Sequence, residues 1–421
     1  MSLEQQQELE SQYVMHTFAR KPVELVSGKG MEVEDAEGNT YLDFIAGIGV
    51  CSLGHCHPVI TKALQDQSQR LIHVSNYYYI EGRGELSRKI SGLLNGGDPA
   101  SPEPWQTFYA NSGAEANECA IKLARLYVRK NAEEAARAAG ADDAKIKQAF
   151  DSAPRTIVVL DRSFHGRTLA TLAATAQPAK QEAFQPLPGG FVSTPINDIQ
   201  ALTRLFEQQG HDICAVMLEC IQGESGVHPC TKEFLEAVRN LTKEHSALMV
   251  CDEVQTGIFR CGTPFGFQHF GVTPDIVTMA KGIAGGMPMG ACAAPAHIAK
   301  AYQPGDHGTT FGGSCLAVAA ATATLDTLSN GFQQHVQETG EYMRQQLAGV
   351  SKIKEVRGVG LMNAIDFDES VDAPALVQKA LGKGLLLNAT GAHTLRFLPP
   401  LVCEKGDIDA MVERLNQMIE A

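Results

Sequence analysis

Three places in this sequence carry side chains whose type and setting could do chemistry together. Lys281 follows the apolar run Ile276–Ala280 and precedes Gly282-Ile283-Ala284-Gly285-Gly286. A lysine at a strand end is ordinarily solvated. One held in a glycine-lined, partly dry pocket has a lowered pKa and can condense with an aldehyde. Asp252 closes the apolar run Leu248–Cys251, and ligands of open α/β sheets gather at such strand ends. A half-buried anion there needs a cationic partner, which a protonated ring nitrogen or an arginine could supply. The third place is Asn111-Ser112-Gly113-Ala114-Glu115, after the β-like Thr107–Tyr109. Ser112 and Glu115 fit the S-x-x-E capping box, and Ala116, Ala120, Leu123 and Tyr127 follow at helical spacing. Gly113 leaves room for an anion to reach the free N–H groups of the first turn.

Each feature alone has a plainer reading: a solvated lysine, an arginine-paired acid, a well-capped helix. Together they are an amine for an aldehyde, an acid for a ring nitrogen and a seat for a phosphate. Those are the parts a pyridoxal-phosphate site needs. Other signatures fail. No GxxxxGK[ST], HExxH or GxSxG is present, and the run Arg357-Gly358-Val359-Gly360 has Asn363 where a dinucleotide fingerprint needs its third glycine. His55 and His57 flank Cys56 without a further ligand set, so they read as a structural turn and no metal is expected.

The elements that must position these residues alternate. Strands are expected at Thr156–Leu160, Ile213–Leu218, Leu248–Cys251, Ile276–Met279 and Ala291–Ala294, with helices between them, as in Thr231–His245. Near-continuous apolar strands in βα alternation imply a mostly parallel sheet covered on both faces. Residues 129–153, Ala-rich and charged with a break at Gly140, read as a surface helical excursion. Val23–Phe44 reads as a hairpin around Glu37-Gly38-Asn39, and Pro58 opens a helix. After about Ala317 the texture shifts to a smaller α+β unit with strands at Ile353–Val356, Leu361–Ile365, Leu385–Leu387 and Leu395–Leu398. The expected division is 1–60 and 317–421 as a small domain built from both chain ends, and 61–316 as a large cofactor-binding domain.

Bulk properties narrow the partners. The 421 residues carry a net charge of −13, with 44% hydrophobic and 20% charged residues. That balance describes a folded protein whose surface repels nucleic acid. The eleven cysteines are scattered without a CxxC pair and read as thiols of a reducing compartment. No apolar leader and no run of eighteen apolar residues occurs, so a cytoplasmic protein with no membrane partner is expected.

Several motifs lie in one order along nearly the whole chain: Ser112-Gly113-Ala114-Glu115-Ala116-Asn117, Ser163-Phe164-His165-Gly166-Arg167-Thr168, Asp252-Glu253-Val254-Gln255-Thr256-Gly257, Ala280-Lys281-Gly282 and His307-Gly308-Thr309-Thr310-Phe311-Gly312-Gly313. In this set the chain resembles the class III aminotransferases. The resemblance implies a fold-type I α/β architecture and pyridoxal 5'-phosphate as cofactor, bound covalently by Lys281. It further implies that Asp252 faces the ring nitrogen, Gln255 the ring's phenolic oxygen and Phe164 the ring face. Ser112, Gly113 and Ala114 would seat the phosphate, which Thr310 would reach from the neighbouring subunit of a homodimer.

Substrates would be an amino acid and a 2-oxo acid. One pocket must then accept a terminal amine with no carboxylate beside it, and afterwards glutamate, whose amine has one. An arginine alternately masked and exposed solves this. The resemblance assigns that arginine to Arg396 and the mask to Glu224, with Arg167 gripping the distal carboxylate and Thr309 contacting the donor from the partner chain. Met15–Val23, Leu71–Tyr78 and Leu395–Pro400 are most similar to members acting on N2-acetylornithine. Ornithine, succinylornithine and 4-aminobutyrate are the alternative donors. Cys220, Ser225, Phe259, Cys261 and Ser314-Cys315 depart from the usual pattern around the site and leave the cofactor residues intact.

Overall fold

The computed structural model describes residues 2–96 and 103–420. Its centre is a seven-stranded sheet in the order Trp105–Ala110, Gly290–Pro295, Ile276–Met279, Leu248–Asp252, Ile213–Leu218, Thr156–Leu160, Phe191–Thr194. From Ile276–Met279 to Phe191–Thr194 every neighbour pairs in parallel. Strand Gly290–Pro295 is antiparallel to both of its neighbours. The expectation of a mostly parallel sheet therefore holds with one reversed strand, and chain length explains the reversal. A parallel return needs a crossover of a dozen or more residues, whereas residues 280–289 supply only a short 3-10 turn and a loop. That short link also keeps Lys281 just beyond the C-terminal end of strand Ile276–Met279 instead of carrying it away on a helix.

The inner strands Ile213–Leu218, Leu248–Asp252 and Ile276–Met279 are buried along their whole length, as strands covered on both faces must be. Cys214 and Cys251 are buried free thiols within these runs, and Cys292 is one in strand Gly290–Pro295. Helix Gly113–Ala138 presses Cys119, Ala120, Leu123 and Ala124 onto one face. Helix Lys232–Glu244, capped by the Thr231 hydroxyl, presses Phe234, Leu235 and Val238 onto the other. Each such fully buried large side chain contributes on the order of 2 kcal/mol of transfer free energy.

The expected excursion at 129–153 is the distal part of helix Gly113–Ala138 followed by helix Asp143–Ser152, with Gly140 at positive φ between them. At the head of the long helix the expected capping box is half formed. The Ser112 hydroxyl accepts from Glu115 N–H, but the Glu115 carboxylate takes the N–H of Asn111 at 2.6 Å instead of that of Ser112. The extended Ser112 backbone brings the preceding N–H nearer the carboxylate.

The chain ends meet. Strands Leu25–Lys29, Glu32–Asp35 and Thr40–Asp43 form a meander, which is completed by Leu385–Leu386 lying parallel to Thr40–Asp43. Just beyond, Asn388–Ala389 joins a second four-stranded sheet with Thr394–Phe397, Met362–Phe367 and Ile353–Val359. The chain thus changes sheets at Leu387, and strand Thr394–Phe397 carries Arg396 toward the end of the central sheet. No described helix is long and apolar enough to cross a membrane.

Candidate active site

Asp252 and Lys281 are remote in sequence, but their strands are neighbours: Asp252 pairs with Thr278, three residues before Lys281. Both line a cavity of about 440 Å3 together with Ser112, Gly113, Ala114, Phe164, Arg167 and Gln255. Lys281 sits at φ 44, a region that a side-chain-bearing residue enters only when its surroundings demand it. Burial pulls its ammonium below the usual lysine range. The Glu224 charge opposes that pull, and the Arg396 charge adds to it. An amine partly relieved of its proton is the nucleophilic form.

Asp252 is held from behind. Its Oδ2 accepts from Asn117 Nδ2 and from His165 Nδ1, both at 2.7 Å, and its Oδ1 accepts from Val254 N–H at 3.0 Å. Asn117 is itself pinned, donating to the His165 carbonyl at 2.7 Å and accepting from the Thr278 hydroxyl at 2.6 Å. His165 is buried, which alone would depress its pKa, yet the bond to Asp252 leaves it raised. The carboxylate is therefore fixed in direction by three donors.

The anion seat is the start of helix Gly113–Ala138. Its first N–H groups lack intrahelical acceptors, and the Ser112 hydroxyl takes that of Glu115, leaving Gly113 and Ala114 facing the cavity. Glycine is required at 113 by packing. A Cβ there would lie 2.7 Å from Val254 Cγ1 and 2.9 Å from Cγ2. An amine with a lowered pKa, an oriented buried carboxylate, an aromatic face at Phe164 and a helix N-terminus meet in one cavity. This donor set fits pyridoxal phosphate group by group.

Behind Gln255 lies a charge pair. Arg396 NH1 donates to Glu224 Oε1 at 2.8 Å, to the Gly223 carbonyl at 3.1 Å and to Gln255 Oε1 at 3.1 Å. Gln255 Nε2 donates to Glu224 Oε1 at 3.2 Å, so the amide expected to face the ring oxygen also bridges this pair. Asn388 Oδ1 accepts from Arg396 Nε and NH2. The guanidinium is 2% exposed. Burial works against the Glu224 charge, but Arg396 and then Lys281 outweigh it and hold the carboxyl below its ordinary range.

Arg167 is exposed at the cavity, with its guanidinium 5.6 Å from the Phe164 ring centroid. Thr309 and Thr310 are not brought to the Lys281 cavity of their own chain. They line a separate cavity of about 710 Å3 with Tyr77, Tyr79, Arg83 and His307, though Thr309 Oγ1 accepts from Asn111 Nδ2 at 3.2 Å.

Sequence reasoning gave no role to Asn117, His165, Val254 or Glu219. Asn117 carried a usable signal: it is a polar residue on the apolar stripe, one turn after Gly113. Glu219 carried none, because only the fold shows that its two oxygens accept from Phe164 N–H at 2.9 Å and Gly223 N–H at 3.1 Å. Burial pushes this carboxyl up to about 7, with His165 opposing and Asp252 adding to the shift.

Residues 15–419 match the family described as Aminotransferase class-III. The chain is 44% identical over 415 residues to the acetylornithine aminotransferase of Caldanaerobacter subterraneus, covering 97% of this chain and 98% of that protein. It is 43% identical to that of Methanocaldococcus jannaschii, covering 99% and 98%. Among solved structures, the ornithine aminotransferase of Toxoplasma gondii superposes with a TM-score of 0.87 at 29% identity, covering 100% of this chain and 95% of that one. The acetylornithine aminotransferase of Elizabethkingia anophelis gives 0.82 at 31%, covering 100% and 99%.

Proposed function

The chain belongs to the class-III aminotransferases, which depend on pyridoxal phosphate, and from that premise we propose that it moves the terminal amino group of N2-acetylornithine to 2-oxoglutarate. The products would be N-acetylglutamate 5-semialdehyde and glutamate. The curated relatives named for this donor, at 40–44% identity over nearly their full length, support the choice. The observation that carries it is the ion pair of buried Arg396 with half-buried Glu224 behind Gln255. An enzyme limited to α-amino acids has no use for a carboxylate that neutralises its α-carboxylate receptor.

When bound, pyridoxal phosphate supplies an aldehyde that takes up the amino group and a ring that receives the electrons of the breaking C–H bond. The chain supplies the rest. The Lys281 amine would anchor the cofactor and would move the proton from the amine-bearing carbon and return it. Asp252, fixed by Asn117 and His165, keeps the ring nitrogen protonated. The N–H groups of Gly113 and Ala114 hold the phosphate, Phe164 covers the ring face and Gln255 meets the phenolic oxygen. While the ω-amine reacts, Glu224 keeps Arg396 occupied. For glutamate, Glu224 swings away and Arg396 takes the α-carboxylate bidentately. Arg167 binds the carboxylate at the far end of either substrate.

Thr309 and Thr310 serve the site of a partner subunit in a homodimer. The exposed Tyr77, Tyr78, Tyr79 and Phe311 around their cavity support this, because clustered exposed aromatics mark association surfaces. The free buried thiols support a reducing, cytoplasmic setting.

The test is a donor panel of N2-acetylornithine, ornithine, succinylornithine and 4-aminobutyrate with 2-oxoglutarate, read as kcat/KM. Acetylornithine should lead, and Lys281→Ala should lose both turnover and the yellow colour of the purified protein. A different leading donor would overturn the substrate. A colourless wild type that stays inactive with added cofactor would overturn the reaction.

A further inference from the structure

Glu224 sits on the loop 223–227, between the short paired strands Ile221–Gln222 and His228–Pro229. One end of the loop is fastened beside the central sheet. Gln222 Nε2 donates to the Asp161 carbonyl at 2.9 Å, just past strand Thr156–Leu160, and Gly223 N–H donates to Glu219 Oε2 at 3.1 Å. The other end is fastened to the second four-stranded sheet. Arg357 Nε, on strand Ile353–Val359, donates to the Gly226 carbonyl at 2.8 Å. Val227 is fully buried in one apolar cluster with Met362 and Ala364 of that sheet and with Leu398. Its φ of 60 is a conformation that a β-branched residue keeps only when its surroundings hold it there.

Arg357 is itself fixed. Only 8% of its side chain is exposed, and NH1 and NH2 grip Asp366 Oδ2 and Oδ1 at 2.7 and 2.9 Å, with Glu355 Oε2 3.1 Å from NH1. A planar guanidinium so gripped leaves its Nε–H one direction, and the buried Gly226 carbonyl, which needs a donor, lies along it. Asp366 is oriented in turn by the Thr394 hydroxyl at 2.7 Å. Thr394 pairs with Asp366 across the sheet and stands two residues before Arg396 on the same strand. Bonds therefore run from the strand of Arg396 through Thr394, Asp366 and Arg357 to the loop of Glu224.

We propose that Arg357 is a positioning residue for the mask, holding the Glu224 loop to the sheet that carries Arg396. With both loop ends fixed, unmasking is a rotation of the Glu224 side chain while the backbone stays in place. A loosened loop would spread Glu224 over more positions and leave Arg396 less fully occupied while an ω-amine reacts. A disturbance that reached Arg396 instead would slow the reaction of glutamate. This inference rests on the transamination reading above and adds to it a residue that governs donor selectivity from outside the cavity.

The test uses the cofactor-loaded enzyme and follows absorbance in single turnovers with acetylornithine and, separately, with glutamate. Arg357→Lys keeps a charge for Asp366 but removes the Nε–H from Gly226. It should slow the acetylornithine half-reaction about fivefold and leave the glutamate half-reaction within about twofold of wild type. Val227→Gly loosens the same end of the loop without touching the ion pair, and should give the same split. In a Glu224→Gln background either change should cost nothing further, because its effect passes through Glu224. Unchanged rates, equal slowing of both half-reactions, or losses that add to that of Glu224→Gln would overturn the role of Arg357 and leave the transamination reading intact. A Glu224→Gln variant that slows both half-reactions alike would overturn the mask, and this proposal with it.

Discussion

Arg396 NH1 lies 2.8 Å from Glu224 Oε1, and the Gln255 amide touches both partners. Under the proposed function, the pair is the site's means of telling an ω-amine from an α-amino acid. Glu224→Gln removes the mask and leaves Arg396 free in both half-reactions. The variant should lose about tenfold or more in kcat/KM for acetylornithine while changing little with glutamate. Single-turnover absorbance changes, followed separately for the two amino acids, measure this split. Equal losses in both half-reactions would mean that Glu224 is structural.

Glu219 gives the cofactor-free protein a pH signature. Its carboxyl is pushed up to about 7 in the fold, against an ordinary value of 4.5. Between those values the native state holds a proton that the unfolded chain has released. This contribution to stability is therefore complete below about pH 4.5 and is lost as pH rises through 7. Glu219→Gln removes the titration but leaves one of the N–H groups of Phe164 and Gly223 poorly matched, at a cost of about 1–3 kcal/mol. Denaturant midpoints from pH 5 to 8 should fall with pH more steeply in wild type than in the variant. Superimposable slopes would show that the carboxyl is ionised throughout.

Much of this was legible before any coordinates, and the division follows from physical range. Strands such as Ile213–Leu218 and Ile276–Met279 could be read to the residue, because burial on both faces leaves an unbroken apolar run bounded by polar turns. Lys281, Asp252 and Gly113 stood out because each breaks a local pattern at an element's end. The reversed strand Gly290–Pro295 looked like its parallel neighbours, since direction depends on the length of the preceding loop and not on strand composition. The Asn117–Asp252–His165 bonds and the Glu219 clamp join segments far apart in the chain. Pairings of that kind leave no trace in local periodicity.

The contact between Gly113 and Val254 makes the phosphate seat and the Asp252 loop one packed unit. A methyl at 113 would meet Val254 Cγ1 at 2.7 Å, and the loop of Val254 also donates the N–H that holds Asp252 Oδ1. Gly113→Ala should weaken cofactor binding to the apoenzyme by about tenfold or more, read by fluorescence titration. Val254→Ala removes the two methyls in the way, so the double variant should recover a large part of the loss. Residues in direct contact commonly couple by about 0.5–3 kcal/mol. Purely additive losses would mean that the Gly113 side of the seat fails for another reason, such as the helix start itself.

The proposed sharing of active sites across a homodimer predicts rescue between two damaged chains. Lys281→Ala destroys the site in the subunit that carries it. Thr310→Glu instead sets a negative charge against the phosphate in the partner's site, because Thr310 lies away from the Lys281 cavity of its own chain. Each variant alone should be nearly inactive. In a heterodimer of the two, one site collects both defects and the other collects none. Coexpression with random pairing yields heterodimers in half of the molecules, each with one native site, so about a quarter of wild-type activity should return. Activity no higher than the sum of the separate variants would show that Thr310 does not act across the subunit boundary.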